Sequence, residues 1–581
     1  MTMVDLTEEY EELREIYKGN EIAVLKSLVI RYGPEKVFDF YHYLIKEKTN
    51  LEMAIASTLG EYSERFDSIP ENKSDYSIDV FTKIITKCHW FITYKDSLYW
   101  YDPSKGVYVD GYGVVEKLCV EIWDKHEALL RKFPYVKIRK LTDHFIKEVV
   151  SRVLIETRVD KQYFHQVFDT NPHIINVKNG LLLLEKDNYI FFLPHTPYYP
   201  SVAQIPVNYD PEAECPTIEK FISDVVTEKY KKTVIQMLAY CLTPGYRHNQ
   251  AFMFVGDGHN GKSTLLNLVT RFLGEENVSH IPLQQLASDQ HKFVRIHLMG
   301  KLANIYADIP KISLSETGYF KVLTGDDRIT ADRKFKKQIE FWNRAKLIFS
   351  ANELPPVTDN TYAFWRRWLL IRCPNKFEGD KKDPDIFKKI TDEKELSGLL
   401  NLVLAEYWNV YEKGVEYPEK ENLAEEWKRR SNTVYAFVQD RLVKDPEAFV
   451  PKDLLYSEYI NYCEENQLAA VSKKVFSYEI SRLTGAVTTR PVWEGKRTWC
   501  WKGIKLKELE EAVCNLYSKS PIDIITDLIS SDPSNPTPIE EVIENAKNEG
   551  IREDIAMKII EDLKKNGAIY EPRAGFLTRV Y

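Results

Sequence analysis

Apolar residues recur at helical spacing in the first part of the chain. Leu25, Leu28 and Val29, for example, fall on one face of a helix. The pattern breaks at residues 68–75, where the sequence SIPENKSD combines proline with polar residues. It therefore predicts an N-terminal helical domain over residues 1–75 that ends in a linker.

The hydrophobic pattern changes after this linker. Short aromatic stretches at residues 90–94 and 97–101 are typical of strands, and helical spacing returns at residues 141–155. We interpret residues 76–216 as an α+β domain. A helical segment at residues 218–242 then leads to the apolar run AFMFV at residues 251–255, which indicates a buried central strand. With the helices that resume at 383–443, this predicts an α/β domain over residues 217–445.

Two smaller units complete the chain. Prolines mark boundaries near residues 446–451 and at residue 521. Residues 446–505 show two helical stretches followed by a two-stranded wing, which is the winged-helix pattern, and residues 506–581 repeat the plan. The predicted fold is a multidomain α/β protein with five domains.

The overall charge restricts how this protein could bind nucleic acid. The 581 residues include 79 Lys and Arg and 87 Asp and Glu, which gives a net charge of −8. An overall basic field is therefore excluded, and any contact with nucleic acid must use local basic patches.

Cysteine spacing and hydropathy restrict the compartment. The eight cysteines form no C-x-x-C pair, which argues against a zinc site or a disulfide framework and favours a reducing, intracellular, cytoplasmic location. The acidic, helical N-terminus is unlike a signal peptide, and no apolar run approaches 18 residues, so no contact with a membrane is expected.

The apolar run at residues 251–255 is followed by a phosphate-binding motif. Residues 256–263, GDGHNGKS, match G-x-x-x-x-G-K-[ST] between a predicted strand and a predicted helix. Backbone N–H groups at the start of such a helix surround phosphates, the lysine reaches the β- and γ-phosphates, and the hydroxyl binds Mg²⁺. The alternative is a plain glycine-rich turn. We expect ATP and Mg²⁺ as cofactors, bound by Gly256, Asp257, Gly258, His259, Asn260, Gly261, Lys262, Ser263 and Thr264.

Two later strands end in polar residues suited to the same chemistry. Residues 301–308 predict a strand that ends at Asp308, a candidate Mg²⁺ ligand and Walker-B acid, although a turn aspartate before Pro310 is the alternative. Residues 345–352 predict a strand that ends at Asn352, which could contact the γ-phosphate or position the attacking water. Asn352 could instead cap the following turn.

Two arginines follow at Arg366 and Arg367, before another apolar strand. Paired arginines at this place suit a finger that stabilises phosphoryl charge in a neighbouring subunit. An ordinary salt-bridging face is the alternative, so this role depends mainly on position.

A local reversal of charge lies between the second and third predicted strands. Four of the five residues at 333–337 are basic, and an aromatic ring lies among them. Cations interleaved with an aromatic residue bind the phosphates and bases of single-stranded nucleic acid. The alternative is a solvated charged hairpin. The candidate DNA-binding residues are Arg333, Lys334, Phe335, Lys336 and Lys337.

The two C-terminal modules differ in charge. Residues 450–505 contain nine basic and six acidic residues, a net of +3, whereas residues 521–581 contain seven basic and twelve acidic residues, a net of −5. We expect the first module to bind DNA rather than to serve only a structural or subunit-contact role. We expect a regulatory or protein-contact role for the second, with a replication protein as the partner, since negative charge repels phosphate. The candidate DNA-binding residues of the first module are Lys473, Lys474, Arg490, Lys496 and Arg497.

The order of these motifs resembles the superfamily III helicases, in the branch of poxvirus, phage and archaeal-plasmid primase-helicases. That family has a Walker A, a Walker B, a basic motif, a strand ending in S-A-N-x-x-P and an R-R-W run in this order. All five stand here between residues 256 and 368, and the basic motif reads F-K-x-L-T-G-D-x-x-I-x-A-x-x-K. With residues 171–180 and 205–216, the resemblance covers roughly residues 80–505. Residues 549–551 and 566–572 are similar to the terminal winged helix of archaeal minichromosome maintenance helicases.

The resemblance implies an AAA+-like ATPase that forms a hexameric ring and translocates along one strand of single-stranded or forked DNA, usually 3′ to 5′, during replication of an archaeal plasmid, virus or integrated element. It implies that Lys262 and Ser263 bind ATP and Mg²⁺, that Asp308 is the Walker-B acid, that Asn352 is the sensor, that Arg366 or Arg367 is the finger, and that Lys334, Lys336 and Lys337 line the DNA channel.

Two departures from the family bear on mechanism. The residue beside the Walker-B acid is Ala307, where the family commonly has a second acid, so either Asp308 serves alone or Glu316 or Glu353 supplies the base. The polymerase-primase domain is not recognisable, and the D-x-D at residues 383–385 lies in a loop-like segment, so we predict no primase activity.

Two other functions remain compatible with the motifs. An initiator or loader could use ATP as a switch for assembly on DNA without processive unwinding, and a duplex translocase could move along double-stranded DNA.

Overall fold

The chain forms two compact units, Met1–Ser431 and Asn432–Tyr581. The computed structural model describes residues 3–66, 75–133, 136–138, 140–186, 189–291, 293–310, 312–314, 316–333, 336–357, 359, 361–379, 383–418, 422–466, 468–493, 496–507, 521–532, 534–548 and 551–580.

The first unit opens with four helices, followed by three helices and two small antiparallel sheets. The helices and strands are α1 (Met3–Ile16), α2 (Glu21–Tyr32), α3 (Pro34–Lys48), α4 (Leu51–Phe66), α5 (Ser77–Cys88), β1 (Phe91–Tyr94), β2 (Ser97–Asp102), β3 (Val107–Asp110), α6 (Tyr112–Leu130), α7 (Asp143–Glu156), β4 (Ile174–Val177), β5 (Gly180–Leu184) and β6 (Ile190–Leu193). The sheets have the orders β1-β2-β3 and β4-β5-β6.

The four N-terminal helices contribute to two different cores. Helices α1 to α3 pack against the β4-β5-β6 sheet, where Leu25 and Phe40 share a buried cluster with Leu181. Helix α4 packs instead with α5 to α7, where Ile55 lies with Phe81. Residues 1–75 are therefore not one packing unit, because periodicity marks the apolar face of a helix but not the surface that covers it. The linker predicted at 68–75 lies, except for Asp75, outside the described residues.

The second half of this unit is an α/β arrangement. Its helices and strands are α8 (Pro216–Val226), α9 (Glu228–Leu242), β7 (Ala251–Val255), α10 (Lys262–Leu273), β8 (Val278–Ser279), α11 (Leu283–Ala287), β9 (Ala303–Tyr306), α12 (Gly318–Leu323), β10 (Arg328–Arg333), β11 (Lys336–Trp342), β12 (Lys346–Ala351), α13 (Tyr362–Trp365), β13 (Trp368–Arg372), α14 (Ile386–Ile390), α15 (Glu393–Lys413) and α16 (Asn422–Ser431).

Five of these strands form one parallel sheet in the order β13-β7-β12-β9-β8. Strand β7 lies between β13 and β12 in the interior of the sheet and is almost entirely buried, as its continuous apolar sequence predicts. Strands β10 and β11 form a separate antiparallel hairpin. In a parallel sheet the carboxyl ends of all strands meet at one edge, and this edge positions the candidate site.

The core of this sheet continues across the boundary predicted at residue 216. Ile205 and Val207, before it, share one buried cluster with Ile218 and Phe221, after it. The regions at 76–216 and 217–431 are thus joined by a continuous apolar interior, which a change in sequence pattern does not reveal.

The second unit contains two small modules. Its helices and strands are α17 (Thr433–Arg441), β14 (Leu442–Pro451), α18 (Lys452–Glu465), α19 (Lys473–Thr484), β15 (Val487–Thr489), β16 (Val492–Trp493), β17 (Lys496–Arg497), β18 (Cys500–Leu506), α20 (Pro521–Leu528), β19 (Thr537–Pro538), α21 (Ile539–Asn548), α22 (Glu553–Lys565), β20 (Ile569–Arg573) and β21 (Phe576–Arg579).

The second unit begins before the boundary predicted at residue 446. Phe437 on α17 lies 5.6 Å from Tyr459 and 6.0 Å from Phe476, ring centre to ring centre, so α17 completes the core of the first module. In the terminal module, residues 537–538 form a short strand and helix α21 begins at Ile539. Its core is separate and includes Ile525, Val542 and Leu577.

The part of the chain that the structure describes contains seven of the eight cysteines. The seven cysteines found there are free and buried. Among the described helices, none combines the length and the apolar character that a membrane crossing requires.

Candidate active site

The phosphate-binding motif forms the loop between β7 and α10, at the carboxyl edge of the five-stranded sheet. The Gly256 N–H donates to the Ala351 carbonyl at the end of the neighbouring strand β12, at 3.3 Å. The loop then turns through His259 and Gly261, whose φ angles of 60° and 78° are left-handed. Gly261 leads directly into α10, a helix of 12 residues whose first N–H groups have no partner within the helix.

Close packing leaves no room for a side chain at Gly256. A Cβ on Gly256 would lie 2.3 Å from the Asn260 Nδ2 atom and 2.4 Å from the Cys373 carbonyl oxygen. The Asn260 side chain holds this arrangement by donating to the Cys373 carbonyl at 3.1 Å. Cys373 follows β13, so the carboxyl end of this adjacent strand holds the loop in place. No sequence motif indicates this contact, because it depends on the pairing of β13 with β7.

Lys262 is buried beneath the loop. Its Nζ donates to the Asn260 Oδ1 and the Asn352 Oδ1 atoms, each at 3.0 Å, and also to the Gly256 and Asp257 carbonyls. Burial lowers the pKa of Lys262, and the charges of Cys373, Asp308 and Asp257 oppose that shift. The structure therefore brings together the lysine of the phosphate loop and the asparagine predicted as the sensor.

Asp308 reaches the same edge from the next strand. It follows β9, which pairs in parallel with β12, and its backbone N–H donates to the Ser350 Oγ atom at 3.1 Å. Its φ of 50° is left-handed, an uncommon conformation for aspartate that turns the chain sharply after the strand. The carboxylate is exposed and its charge acts on Lys262.

These residues suit a nucleotide and Mg²⁺. A glycine cradle, a helix N-terminus and a buried ammonium are donors for phosphate oxygens, whereas the exposed Ser263 hydroxyl and Asp308 carboxylate are oxygen ligands. Within the described residues no cluster of three or more His, Cys, Asp or Glu side chains could hold a metal. Mg²⁺ needs no such cluster, because it binds through one or two protein oxygens together with phosphates and water.

Other loop residues have outward positions. Asp257, Gly258 and His259 are exposed, and Thr264 is half-buried on the first turn of α10. Lys376 lies 3.9 Å from the Asp257 carboxylate. Glu316 and Glu353, the alternative bases, are both exposed. Which acid activates water stays a prediction.

The two arginines have different environments. Arg367 is 8% exposed, and its Nε donates to the Thr324 Oγ1 atom at 3.0 Å while its other nitrogens donate to backbone carbonyls. Arg366 is exposed and donates to the Asn249 Oδ1 atom at 3.3 Å. Of the pair, only Arg366 presents a guanidinium to the surface.

Arg366 lies at the opposite edge of the sheet from the phosphate loop. Trp368 pairs with Ala251 at the start of β7, whereas the loop begins after Val255 at its end. Five residues of strand span roughly 13 Å. Arg366 is thus too far away to reach the phosphates of its own site without a rearrangement.

The basic segment lies at the end of the β10-β11 hairpin. Arg333 pairs with Lys336 across the hairpin. Lys334 and Phe335 lie outside the described residues, and only the backbone is described for Arg333, Lys336 and Lys337. The structure therefore places the segment at a hairpin end, and its contact with DNA stays a prediction.

The predicted DNA-binding residues of the first C-terminal module are all exposed. Lys473 and Lys474 start α19, and Lys496 and Arg497 form β17 in the wing. Lys473 forms an ion pair with Asp453, which offsets part of its charge. The Arg490 guanidinium lies 5.4 Å from the ring centre of the half-exposed Trp499, so a cation and an aromatic ring are presented together.

Three protein families match successive parts of the chain. The D5 N terminal like family matches residues 80–227, a family of unknown function (DUF5906) matches residues 254–367, and the Poxvirus D5 protein-like family matches residues 429–518. The phosphate loop lies in the second segment, and the D5-related segments lie on either side of it.

Curated relatives are viral proteins. "Putative primase C962R" of African swine fever virus (isolate Tick/Malawi/Lil 20-1/1983) is 23% identical over 416 residues, which cover 66% of this chain and 42% of the relative. "Putative helicase L207/L206" of Acanthamoeba polyphaga mimivirus is 25% identical over 342 residues, 53% of this chain and 34% of the relative. The alignments thus span less than half of these relatives. The chain is similar to D5-like viral proteins named primases and helicases.

A phage protein appears in both the sequence and the structural comparison. The "DNA Primase-polymerase" of Nitratiruptor phage NrS-1 is 27% identical over 141 residues, 24% of this chain and 19% of the relative. The solved structure described as "The A form apo structure of NrS-1 C terminal region-CTR" aligns with a TM-score of 0.45 and 15% identity, over 74% of this chain and all of that chain.

Proposed function

We propose that this protein is an ATP-dependent DNA helicase that acts in replication. The observation that carries the proposal is the contact of 3.0 Å between the Lys262 Nζ and the Asn352 Oδ1 atoms, at the carboxyl edge of a parallel sheet ordered β13-β7-β12-β9-β8. This strand order, with the phosphate loop after β7, Asn352 after the adjacent strand β12 and Asp308 after the next strand β9, supports an AAA+-like P-loop ATPase over residues 217–431.

ATP and Mg²⁺ are the proposed cofactors. The backbone of residues 256–261 and the first turn of α10 would surround the phosphates, and Ser263 and Asp308 would hold the metal ion. Bound Mg²⁺ neutralises phosphate charge. Asn352 orients the attacking water or the γ-phosphate. Lys262 supplies a positive charge, and its burial strengthens the attraction between that charge and the phosphates.

Arg366 is the proposed finger, and a ring is the proposed assembly. Because Arg366 lies at the far edge of its own sheet, its guanidinium would serve the site of a neighbouring subunit, as arginine fingers do in trans. Buried Arg367 would hold the segment that carries it. A hexamer in which each subunit completes its neighbour's site fits this division.

The proposed DNA contacts are the basic hairpin end and the first C-terminal module. Both combine cations with an aromatic residue, a chemistry suited to single strands. The acidic terminal module would contact a protein, such as another replication factor.

The relatives support a role in viral replication more than one in an archaeal plasmid, since the matched curated proteins belong to viruses and a phage. Their names include primases as well as helicases, which counts against the expectation that priming is absent. Our proposal is confined to the helicase activity.

Strand displacement on forked DNA tests the proposal. The wild-type chain should unwind the fork with ATP, and Lys262→Ala should lose at least about a hundredfold in ATP hydrolysis and all unwinding, because the phosphates lose their main cation. Lys229→Ala, an exposed lysine on α9, is the matched control and should behave as wild type.

The same assay separates the alternatives. DNA-stimulated ATP hydrolysis without unwinding would favour the ATP-switched initiator or loader and would contradict the helicase proposal. Stimulation by blunt duplex with no preference for a single-stranded tail would favour the duplex translocase.

A further inference from the structure

A cavity of about 300 Å³ lies at the amino edge of the five-stranded sheet, away from the phosphate loop. It is bounded by the segments that lead into β7, β9 and β12, by the base of the β10-β11 hairpin and by residues 164–172. The proposed ATPase chemistry does not use it, although Asp326 of the basic motif lines it. Its volume is at the lower end of the range for small-molecule sites.

Aromatic rings form much of its wall. Trp342, the last residue of the hairpin, lies edge-on to His165, with ring centres 5.1 Å apart, and Phe164 lies 5.0 Å from Phe168. Gly300 packs closely against Phe164, since a Cβ there would lie 3.3 Å from the Phe164 ring. An aromatic-walled cavity is suited to a planar ring, because every base has a π-face that can stack on an aromatic side chain.

Two opposite charges face this cavity. Asp169 and Arg344 form an ion pair, with 3.4 Å between the Oδ2 atom and a terminal nitrogen. The Asp169 Oδ1 atom accepts from the Ser201 hydroxyl at 2.7 Å, and the Arg344 Nε atom is buried without a hydrogen-bond partner in the described structure. Buried polar atoms of this kind cost free energy unless a partner satisfies them. A second carboxylate, Asp326, also lines the cavity.

The pattern of donors and acceptors selects among planar ligands. Carboxylates accept from a ring edge that carries N–H groups, and a guanidinium donates to an edge that carries acceptors. Guanine has both, since its N1–H and N2–H₂ groups lie together on one edge and its O6 and N7 atoms, which arginine binds, lie on another. Adenine carries one amino group, so it matches two carboxylates less well.

We propose that this cavity binds a guanine base, either in a free nucleoside or as one base of a DNA strand. Asp169 accepts from the N–H edge, Arg344 donates to the acceptor edge, and Trp342 stacks on the ring. Because Trp342 ends the hairpin whose far end is the proposed DNA contact, an occupied cavity would fix the hairpin's base. The inference does not depend on the helicase proposal.

Calorimetric titration of the full chain with guanosine tests the inference. Guanosine has no phosphate, so the phosphate loop offers it little. The expected result is saturable binding of guanosine, at least about tenfold tighter than that of adenosine, and unchanged by saturating ADP and Mg²⁺. Equal affinity for adenosine, displacement by ADP, or no binding of guanosine would each overturn the inference.

Variants connect the binding to the cavity. Asp169→Asn and, independently, Trp342→Ala should each weaken guanosine binding roughly tenfold or more. Asp160→Asn, an exposed carboxylate in the same segment, is the control and should bind as wild type. Thermal unfolding of each variant identifies any that fail to fold. Wild-type binding by a folded Trp342→Ala variant would contradict the assignment.

Oligonucleotides distinguish the two sources of the base. A thymidine oligonucleotide with one central guanine should bind more tightly than an all-thymidine one if the cavity takes a base of a strand, and Asp169→Asn should remove that difference. If guanosine binds but the guanine adds no affinity, the cavity takes the free nucleoside.

Discussion

Two glycines of the phosphate loop have very different surroundings. Gly256 is enclosed by Asn260 and the Cys373 carbonyl, whereas a Cβ at Gly258 would meet nothing within 4 Å. The backbone of Gly258 also does not adopt a left-handed conformation. The motif requires a glycine only at the first of these two positions, and the structure gives the reason.

Substitution at these two positions provides a matched pair. Gly256→Ala should weaken ADP binding at least about tenfold, because the new methyl group must displace backbone of the neighbouring strand. Gly258→Ala should bind ADP nearly as wild type does. Calorimetric titration with ADP and Mg²⁺ measures both, and equal losses in the two variants would show that packing at Gly256 is not the cause.

Arg366 and Arg367 are adjacent, but substituting each of them with alanine should have a different effect. Arg366→Ala should leave the thermal midpoint almost unchanged and abolish hydrolysis in assembled rings. Arg367→Ala should lower the free energy of unfolding by about 1–3 kcal/mol, because buried carbonyls and the Thr324 hydroxyl lose a charged donor.

Mixed assemblies provide the measurement for Arg366. An Arg366→Ala subunit still has an intact phosphate loop, so doping it into wild-type protein should inactivate the neighbouring site rather than its own. Undiminished activity per wild-type subunit across the doping series would contradict a finger acting in trans. Thermal unfolding checks the different role of Arg367.

The β10-β11 hairpin is the structural element on which the DNA-binding prediction depends. Its strands are paired from Arg328 and Trp342 to Arg333 and Lys336, so the base is fixed by the fold while the basic segment lies at the other end. Such an arrangement separates DNA contact from the nucleotide site, which lies at the opposite edge of the sheet.

Removal of the hairpin charges should therefore uncouple the two activities. With Lys334, Lys336 and Lys337 changed to alanine, single-strand affinity should fall and its dependence on salt should flatten, because fewer counterions are released, while basal ATP hydrolysis persists. The control changes three exposed lysines elsewhere, Lys117, Lys132 and Lys140. Single-strand affinity equal to that of the control at moderate salt would refute the assignment.

The whole chain consists of two units with separate cores. The large cluster around the parallel sheet belongs to Met1–Ser431, and the cores of the two small modules belong to Asn432–Tyr581. The phosphate loop lies entirely in the first unit. A ligand stabilises only the folded unit that binds it.

Calorimetric unfolding should show this division. We expect ADP with Mg²⁺, at about a hundred times its dissociation constant, to stabilise the first unit by about 2.7 kcal/mol and to raise the midpoint of its transition alone. In Lys262→Ala the same addition should shift neither transition. A nucleotide-induced shift of the second unit's transition would show that the two units unfold together.

Local features of the chain were predictable from the sequence. The buried strand β7, the phosphate loop, the hairpin and the two helices and wing of the first C-terminal module follow from periodicity, glycine spacing and turn residues, which act over a few residues. The placement of Asp308 and Asn352 at one edge of the sheet was predictable because the residues that follow parallel strands meet there.

Long-range packing decided the rest. The sequence by itself determined which residue types could bind a nucleotide and that the overall charge of −8 confines DNA contacts to patches. Only the tertiary structure distinguished exposed Arg366 from buried Arg367, divided the N-terminal helices between two cores and paired Asp169 with Arg344, which lie far apart in the chain. Burial and ion pairing depend on which surfaces meet, and periodicity along one segment carries no information about its partner.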